Sequence, residues 1–181
     1  MRIIAEETAA LVIDFQERLV PAMYGANGLL YNTEILLKGL STLEIPIIAT
    51  QQYTKGIGMT VPSIAKLIGN EFSYYDKLSF SCVDDIAIDQ RLTALGKKNI
   101  IVCGIEAHVC VLQTVIDLIQ KDYQVILIEN CISSRKENDC KIAVQRAIAE
   151  GAVIATYESI LFELTRKAGT AVFKEISNLI K

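Results

Sequence analysis

One cysteine of the chain stands where its thiol could act as a nucleophile. Cys110 lies in the segment GIEAHVCVLQT, between an apolar run and a helical pattern that begins near His108 or Val109. The amides and the dipole at a helix N-terminus favour a thiolate, so a cysteine in the first turn of a helix can have a lowered pKa. The same amides could stabilise an oxyanion once the sulfur has attacked a carbonyl. The alternative is a small buried residue at a corner between a strand and a helix.

The other four cysteines occupy positions typical of packing. Cys103 lies in an apolar run, Cys140 in a helical pattern, Cys131 at a strand end and Cys82 in a loop. Five cysteines with no CxxC pair argue against a disulfide framework or a thiolate metal site. Cys110 is therefore the candidate nucleophile.

A thiol nucleophile needs a proton acceptor, and two charged residues are candidates for its partners. Asp14 ends the first apolar run, where a carboxylate is costly unless it is paired, although it could also cap the following helix. Lys77, in YYDKLSFS, is either a solvated loop lysine or the cation that holds a thiolate and a carboxylate together. His108, the only histidine, is so close to Cys110 in sequence that we expect its ring to point away, as a pocket wall or helix-start residue.

The elements that must position these residues alternate along the chain. Short apolar runs typical of strands buried on both faces occupy 8–15, 46–50, 99–105, 124–130 and 152–156. Helical spacing is clearest at 29–43, 85–95, 109–121, 135–150 and 159–168. This alternation predicts an α/β fold with right-handed crossovers and a mostly parallel sheet.

Local signals support these boundaries. Gly96 and Gly151 are expected to end helices, and Ser133 and Ser134 stand where a helix N-cap belongs. Two irregular stretches, 51–64 and 71–85, follow predicted strands or lie between elements. Because ligands bind at loops that leave the carboxyl ends of strands, both stretches are candidate pocket walls.

Composition excludes several classes of protein. With 181 residues and no linker-like segment, we expect a single domain over 1–181. A net charge of −3, from 18 basic and 21 acidic residues without a basic stripe, argues against a nucleic-acid partner. No uncharged run reaches the roughly 18 residues of a membrane helix, and the N-terminus does not suit a signal peptide, so no membrane partner and a cytoplasmic location are expected.

Three motifs resemble those of the isochorismatase-like cysteine hydrolases, and the similarity spans nearly the whole chain. They are LVIDFQ, YDKLSFS and GIEAHVC, in that order. Further stretches, including TQQYTKGIGMTVPSI and FKEISNLIK, are most similar to the isochorismatase domain-containing proteins. The resemblance implies a three-layer α/β/α Rossmann-like fold with a six-stranded sheet in the order 3-2-1-4-5-6.

The resemblance also implies a catalytic triad. Asp14 would be the general base, Lys77 would orient and support the pair electrostatically, and Cys110 would be the nucleophile that forms a thioester. A cis peptide between Ile105 and Glu106 would aim the Glu106 and Cys110 amides at the oxyanion. The candidate substrate-pocket residues are Phe15, Gln16, Gln51, Tyr53, Phe80, Ala107 and His108.

Departures from the family pattern narrow the range of possible substrates. Nicotinamidases of this superfamily hold a metal with an aspartate and two histidines, whereas this chain has one histidine, so we expect no metal and no cofactor. True isochorismatases lack the cysteine, so Cys110 argues against isochorismate as the substrate.

The family commonly forms dimers or larger rings, and we expect a homo-oligomer. The apolar face of 170–181 could dock on the domain or on a neighbouring subunit.

Three functions fit these observations to different degrees. The leading hypothesis is a metal-independent cysteine hydrolase that cleaves a small amide or related C–N substrate. Its rival is a binding or scaffold protein that keeps the triad with little turnover. Flavodoxin-like nucleotide binding is weaker, because DFQERL stands where a glycine-rich phosphate loop would follow the first strand.

Overall fold

Six parallel strands form one sheet in the computed structural model, which describes residues 2–68 and 74–181. The strands are β1 (Thr8–Ile13), β2 (Ile47–Gln52), β3 (Tyr74–Lys77), β4 (Asn99–Ile105), β5 (Gln124–Ser133) and β6 (Val153–Ala155). Their order is β3-β2-β1-β4-β5-β6, and every neighbouring pair is parallel. The predicted fold class and strand order are confirmed.

Helices cover both faces of the sheet. They are α1 (Ala26–Thr42), α2 (Thr54–Ile57), α3 (Pro62–Ile68), α4 (Ile86–Leu95), α5 (Leu112–Gln120), α6 (Glu137–Glu150), α7 (Tyr157–Thr165) and α8 (Ala171–Ile180). The core on one face contains side chains of α1, α3, α7 and α8, and the core on the other contains those of α4, α5 and α6. In the described ranges, no helix combines the length and hydropathy that crossing a membrane requires.

The central strands follow directly from the apolar runs. All six residues of β1 and all seven of β4 are buried, because alternate side chains enter the two cores on opposite faces. The run predicted at 8–15 is too long, since β1 ends at Ile13 and Asp14 takes a left-handed φ of 55°. The edge strand β3 lies inside the irregular stretch 71–85, of which 71–73 fall outside the described residues.

Helix boundaries agree with the sequence at glycines and differ at serines. Gly96 and Gly151 follow α4 and α6 with φ of 60° and 110°, as expected of helix-terminating glycines. The predicted serine cap of α6 is wrong, because β5 continues to Ser133 and Lys136 precedes the helix without a side-chain cap. The Ser133 hydroxyl instead donates to the Tyr24 carbonyl over 2.7 Å.

The C-terminal helix packs on its own domain. Ile176 of α8 is fully buried in the core that also contains α1 and α7. The Thr170 hydroxyl caps this helix by accepting a hydrogen bond from the Phe173 amide over 3.0 Å. The apolar face of the segment is thus largely used within the chain, although Val172 is exposed.

A close approach of β1 and β4 lies directly beneath Asp14. Gly104 pairs with Ile13 and has a φ of 145°. A Cβ atom at this position would lie 2.8 Å from the Ile13 Cα atom and 2.6 Å from its Cβ atom. Only glycine lets the two backbones meet here, one residue before the carboxylate.

Replacement of Gly104 by alanine is expected to lower the free energy of unfolding by about 1–3 kcal/mol, because the methyl group overpacks the contact with Ile13. Urea denaturation measures the change. Gly28→Ala is the matched control: its Cβ would meet nothing within 4 Å. Because Gly28 lies in the first turn of α1, this substitution should leave the free energy of unfolding unchanged or raise it by at most about 1 kcal/mol. Equal effects of the two substitutions would contradict the close approach.

Candidate active site

Three strand ends bring Asp14, Lys77 and Cys110 to one edge of the sheet. Asp14 follows β1, Lys77 is the last residue of β3, and Cys110 lies in a π-helical turn (Ala107–Val111) between β4 and α5. β2 separates β1 from β3, so the lysine side chain must reach past β2 to meet the carboxylate. Its Nζ atom lies 2.7 Å from Asp14 Oδ2.

The Asp14–Lys77 ion pair is shielded from solvent. Both side chains have 0% relative exposure. Lys77 Nζ also donates to Gln52 Oε1 over 2.7 Å and to the Phe80 and Ser79 carbonyls over 3.1 and 3.2 Å. Burial, the largest single influence, lowers the pKa of Lys77, but the charge of Asp14, the neighbouring thiols Cys82 and Cys110 and the hydrogen bond with Asp14 together raise it. Lys77 is a buried cation, and the solvated-loop alternative is wrong.

The Asp14 carboxylate is held by side chains. Its Oδ2 atom accepts from Lys77, and its Oδ1 atom accepts from the Thr50 hydroxyl over 2.7 Å. The left-handed φ of 55° turns the chain at the end of β1, in a conformation that aspartate tolerates better than most residues. Both carboxylate oxygens therefore have fixed partners.

The Cys110 thiol has a raised pKa, although a place near a helix start favours a lowered one. Burial raises the pKa to about 12, and the charge of Asp14 and a hydrogen bond with it act in the same direction. The charge of Lys77 opposes them without prevailing. The residue is only 6% exposed, and burial is the largest cause of the raised pKa. The resting sulfur carries its proton beside a carboxylate.

Four polar residues of the site were missed by sequence reasoning. Thr114, one helical turn after Cys110, donates to the Cys110 carbonyl over 2.7 Å and accepts from the Cys82 amide over 3.0 Å. Thr50 and Gln52 contact the charged pair from β2. Cys82 lies beside Thr50, and burial raises its pKa to about 12. The two-residue period of a strand places Thr50 and Gln52 on one side of β2, and that period is the signal that could have identified them.

Several candidate pocket residues lie inside the protein instead of on a pocket wall. Phe15 is in the apolar core, and Ala107 is also buried. The Gln16 amide bonds to the main chain of Gln52, and Gln51 Oε1 accepts from the Thr60 amide over 2.8 Å. These glutamines fix the segment after β2.

The three remaining candidates, Tyr53, Phe80 and His108, are at least partly exposed. Tyr53 and Phe80 are 52% and 53% exposed. His108 Nδ1 lies 2.9 Å from the Ser134 hydroxyl, so its ring is directed towards the segment after β5.

The turn that carries Cys110 is fixed by a second ion pair. The peptide bond between Ile105 and Glu106 is cis. The Glu106 carboxylate accepts from Arg135 Nε over 2.9 Å and from the Arg135 amide over 3.3 Å. The turn is thus tied to the segment after β5.

Two cavities differ in their relation to these groups. A cavity of about 260 Å³ is lined by Lys77 together with Tyr53, Thr54, Lys55, Asp76 and Leu78. A larger groove of about 520 Å³ lies between α1, β5 and α6 and contains none of Asp14, Lys77 or Cys110. We locate the candidate site by its charges, because reactive groups with shifted pKa values mark function better than volume alone.

Comparison with known proteins places this geometry in a family. The model of the Isochorismatase domain matches residues 8–159. "Isochorismatase family protein 1B" of Dictyostelium discoideum is 33% identical over 99% of this chain and 89% of its own length.

Two solved structures share the fold. The structure described as MAR1 ribonuclease from Caenorhabditis elegans has a TM-score of 0.93, with 32% identity over 99% of this chain and 92% of that one. The YcaC gene product of Escherichia coli, described as an octameric hydrolase of unknown specificity, has a TM-score of 0.94 at 21% identity, covering 99% of this chain and 89% of that one.

Removal of one partner of the buried ion pair should be far more costly than removal of a surface pair. Lys77→Met is expected to lower the free energy of unfolding by about 3–5 kcal/mol, because it leaves the Asp14 carboxylate buried without its cation. Lys98→Met is the control, since the Lys98–Glu7 pair spans 3.2 Å with side chains 75% and 43% exposed. Its loss should cost below about 1 kcal/mol in urea denaturation. Similar costs for both variants would refute the burial of the pair.

Proposed function

Since the chain belongs to the isochorismatase family, we propose that it is a hydrolase in which Cys110 attacks a small amide or a related C–N compound. The observation that carries the proposal is the buried Asp14–Lys77 pair beside the Cys110 thiol. A carboxylate with two fixed partners, next to a protonated sulfur, has the arrangement of a base beside its nucleophile.

The first half of the reaction would form a thioester. The thiol proton passes to Asp14 as the sulfur bonds to the carbonyl carbon, and the carbonyl oxygen becomes an oxyanion. The Glu106 and Cys110 amides would donate to that oxygen. As the C–N bond breaks, Asp14 returns the proton to the leaving nitrogen, and ammonia or an amine departs.

The second half would regenerate the thiol. Asp14 takes a proton from water, the hydroxide oxygen bonds to the thioester carbon, and the C–S bond breaks. The carboxylic acid leaves, and the sulfur recovers its proton. Every step uses water and groups of this chain, without a cofactor.

The raised pKa of Cys110 makes Asp14 essential to this scheme. A thiol whose pKa is raised to about 12 is almost entirely protonated at neutral pH. Attack by the sulfur therefore requires that the thiol proton moves to Asp14 during the reaction, because the thiol is not ionised beforehand. Lys77 holds the carboxylate in place and would stabilise negative charge on sulfur as it develops.

Two other functions are alternatives. The description of the Caenorhabditis elegans neighbour makes RNA hydrolysis a second candidate, although a net charge of −3 gives little attraction for phosphates. A binding or scaffold role would keep the triad with little turnover. Incubation of a synthetic RNA with the wild type and with Cys110→Ala tests RNA hydrolysis. We expect no cleavage by either protein.

Assembly and location belong to the same proposal. Two large apolar side chains are strongly exposed: Leu78, just after β3, at 76% and Ile86, the first residue of α4, at 74%. Exposed apolar surface can mark an interface, and one fold neighbour is described as octameric, so we propose a homo-oligomer. Five free cysteines suit a reducing compartment, which supports a cytoplasmic protein.

Ammonia release from a library of small amides tests the proposed function. The wild type is expected to release ammonia from at least one compound, and Cys110→Ala is expected to reduce the rate by a factor of at least about 10³, since no nucleophile remains. Cys140→Ala, at a half-buried cysteine of α6 away from the ion pair, should retain the wild-type rate. Turnover by Cys110→Ala would rule out the covalent mechanism, and saturable binding without ammonia from any variant would favour the scaffold.

A further inference from the structure

We propose that Gln52 is a positioning residue of the site: its side-chain carbonyl holds the Lys77 ammonium between Asp14 and the Cys110 sulfur. This inference rests on the proposed function of the same groups. Gln52 Oε1 lies 2.7 Å from Lys77 Nζ and 4.0 Å from Cys110 Sγ. Within residues 2–68 and 74–181, the side chains that accept a hydrogen bond from the lysine are those of Asp14 and Gln52.

The orientation of the Gln52 amide follows from its partners. Its Nε2 atom donates to the Leu78 carbonyl over 2.9 Å. A carbonyl oxygen can only accept and an ammonium group can only donate, so the amide cannot be turned over without losing both bonds. The oxygen must therefore face Lys77 and Cys110.

The main chain of Gln52 is clamped as firmly as its side chain. Its amide donates to Gln16 Oε1 over 2.7 Å, and its carbonyl accepts from Gln16 Nε2 over 2.9 Å. Gln16 is itself fully buried. These two main-chain bonds fix Gln52 relative to β1 and β2. Its side-chain oxygen Oε1 can therefore hold the lysine at a defined place.

The absence of charge on the Gln52 side chain matters for its role as much as its geometry does. The titratable groups that face Cys110 are Asp14, Lys77 and Cys82. One lysine balances one carboxylate, and the amide adds an acceptor without a second negative charge. A glutamate at this position would compete for Lys77 and oppose a negative charge on the sulfur.

The neighbouring glutamine shows that the arrangement is specific to position 52. Gln51 contacts Asp76 over 3.3 Å and the Thr60 amide over 2.8 Å, and neither contact involves the charged pair. Gln52 contacts both Lys77 and Cys110 because it occupies the side of β2 that faces the pair.

The experiment is the pH profile of alkylation of Cys110 by iodoacetamide, followed at this residue by peptide mass spectrometry. Gln52→Glu keeps the shape of the side chain and is expected to move the profile by about one pH unit or more to higher pH, so that alkylation at a fixed pH slows about tenfold or more. Gln52→Met, which removes the acceptor without adding charge, should give a smaller shift in the same direction. Gln90→Glu, on the exposed face of α4, controls for the added charge and should leave the profile unchanged.

A role limited to folding would lower the stability of these variants without moving the profile. Wild-type profiles in both folded Gln52 variants would therefore overturn the inference. Lys77→Met separates this outcome from failure of the proposed function: loss of the cation should move the profile to higher pH. If Lys77→Met shifts the profile and the Gln52 variants do not, only the role of Gln52 fails; if Lys77→Met has no effect, the charge network itself fails.

Discussion

The buried ion pair between Asp14 and Lys77 is the interaction on which the site depends. Two charges without solvent contact are tolerated only because each has partners for its remaining hydrogen-bonding capacity. Thr50 donates to the carboxylate, while Gln52 and two main-chain carbonyls accept from the ammonium group. The loops after β1, β2 and β3 must therefore keep one arrangement relative to each other, and that arrangement sets the surroundings of Cys110.

The sheet topology makes this pair possible. In a parallel sheet all strands present their carboxyl ends at the same edge, so polar residues at the ends of β1, β2 and β3 converge there. The order β3-β2-β1-β4 places Lys77 two strands from Asp14, a distance that a lysine side chain can cover past β2. Gly104 lets β4 approach β1 closely just before Asp14, and the turn after β4 then brings Cys110 to the carboxylate.

The sequence predicted the parts of this arrangement that depend on local pattern. The runs that became β1 and β4 are apolar throughout because both faces are covered, and Gly96 and Gly151 end helices because glycine takes the left-handed conformation readily. Resemblance to the family supplied the six-stranded order. Edge strand β3 carries no such pattern, since it is short and only partly buried. The two-residue period of β2 places Thr50 and Gln52 on one side of the strand, but it does not show that they contact the ion pair. The contact of Thr114 with the Cys82 amide likewise joins separate elements and leaves no signal in the sequence spacing. The direction of the Cys110 pKa shift could not be predicted from the helix start alone, because burial and the charge of Asp14 depend on the assembled site.

The central claim is that the Asp14 carboxylate keeps the proton on Cys110 at rest and accepts it during attack. The most direct measurement is the pH titration of the Cys110 thiolate by its ultraviolet absorbance, taken as the difference from Cys110→Ala, in the wild type and in Asp14→Asn. Removal of the carboxylate should lower the thiol pKa from its value of about 12, because burial is then opposed by Lys77 without the charge of Asp14. The variant would thus ionise its thiol more readily and yet lose turnover. An unchanged or higher thiol pKa in Asp14→Asn would contradict the account.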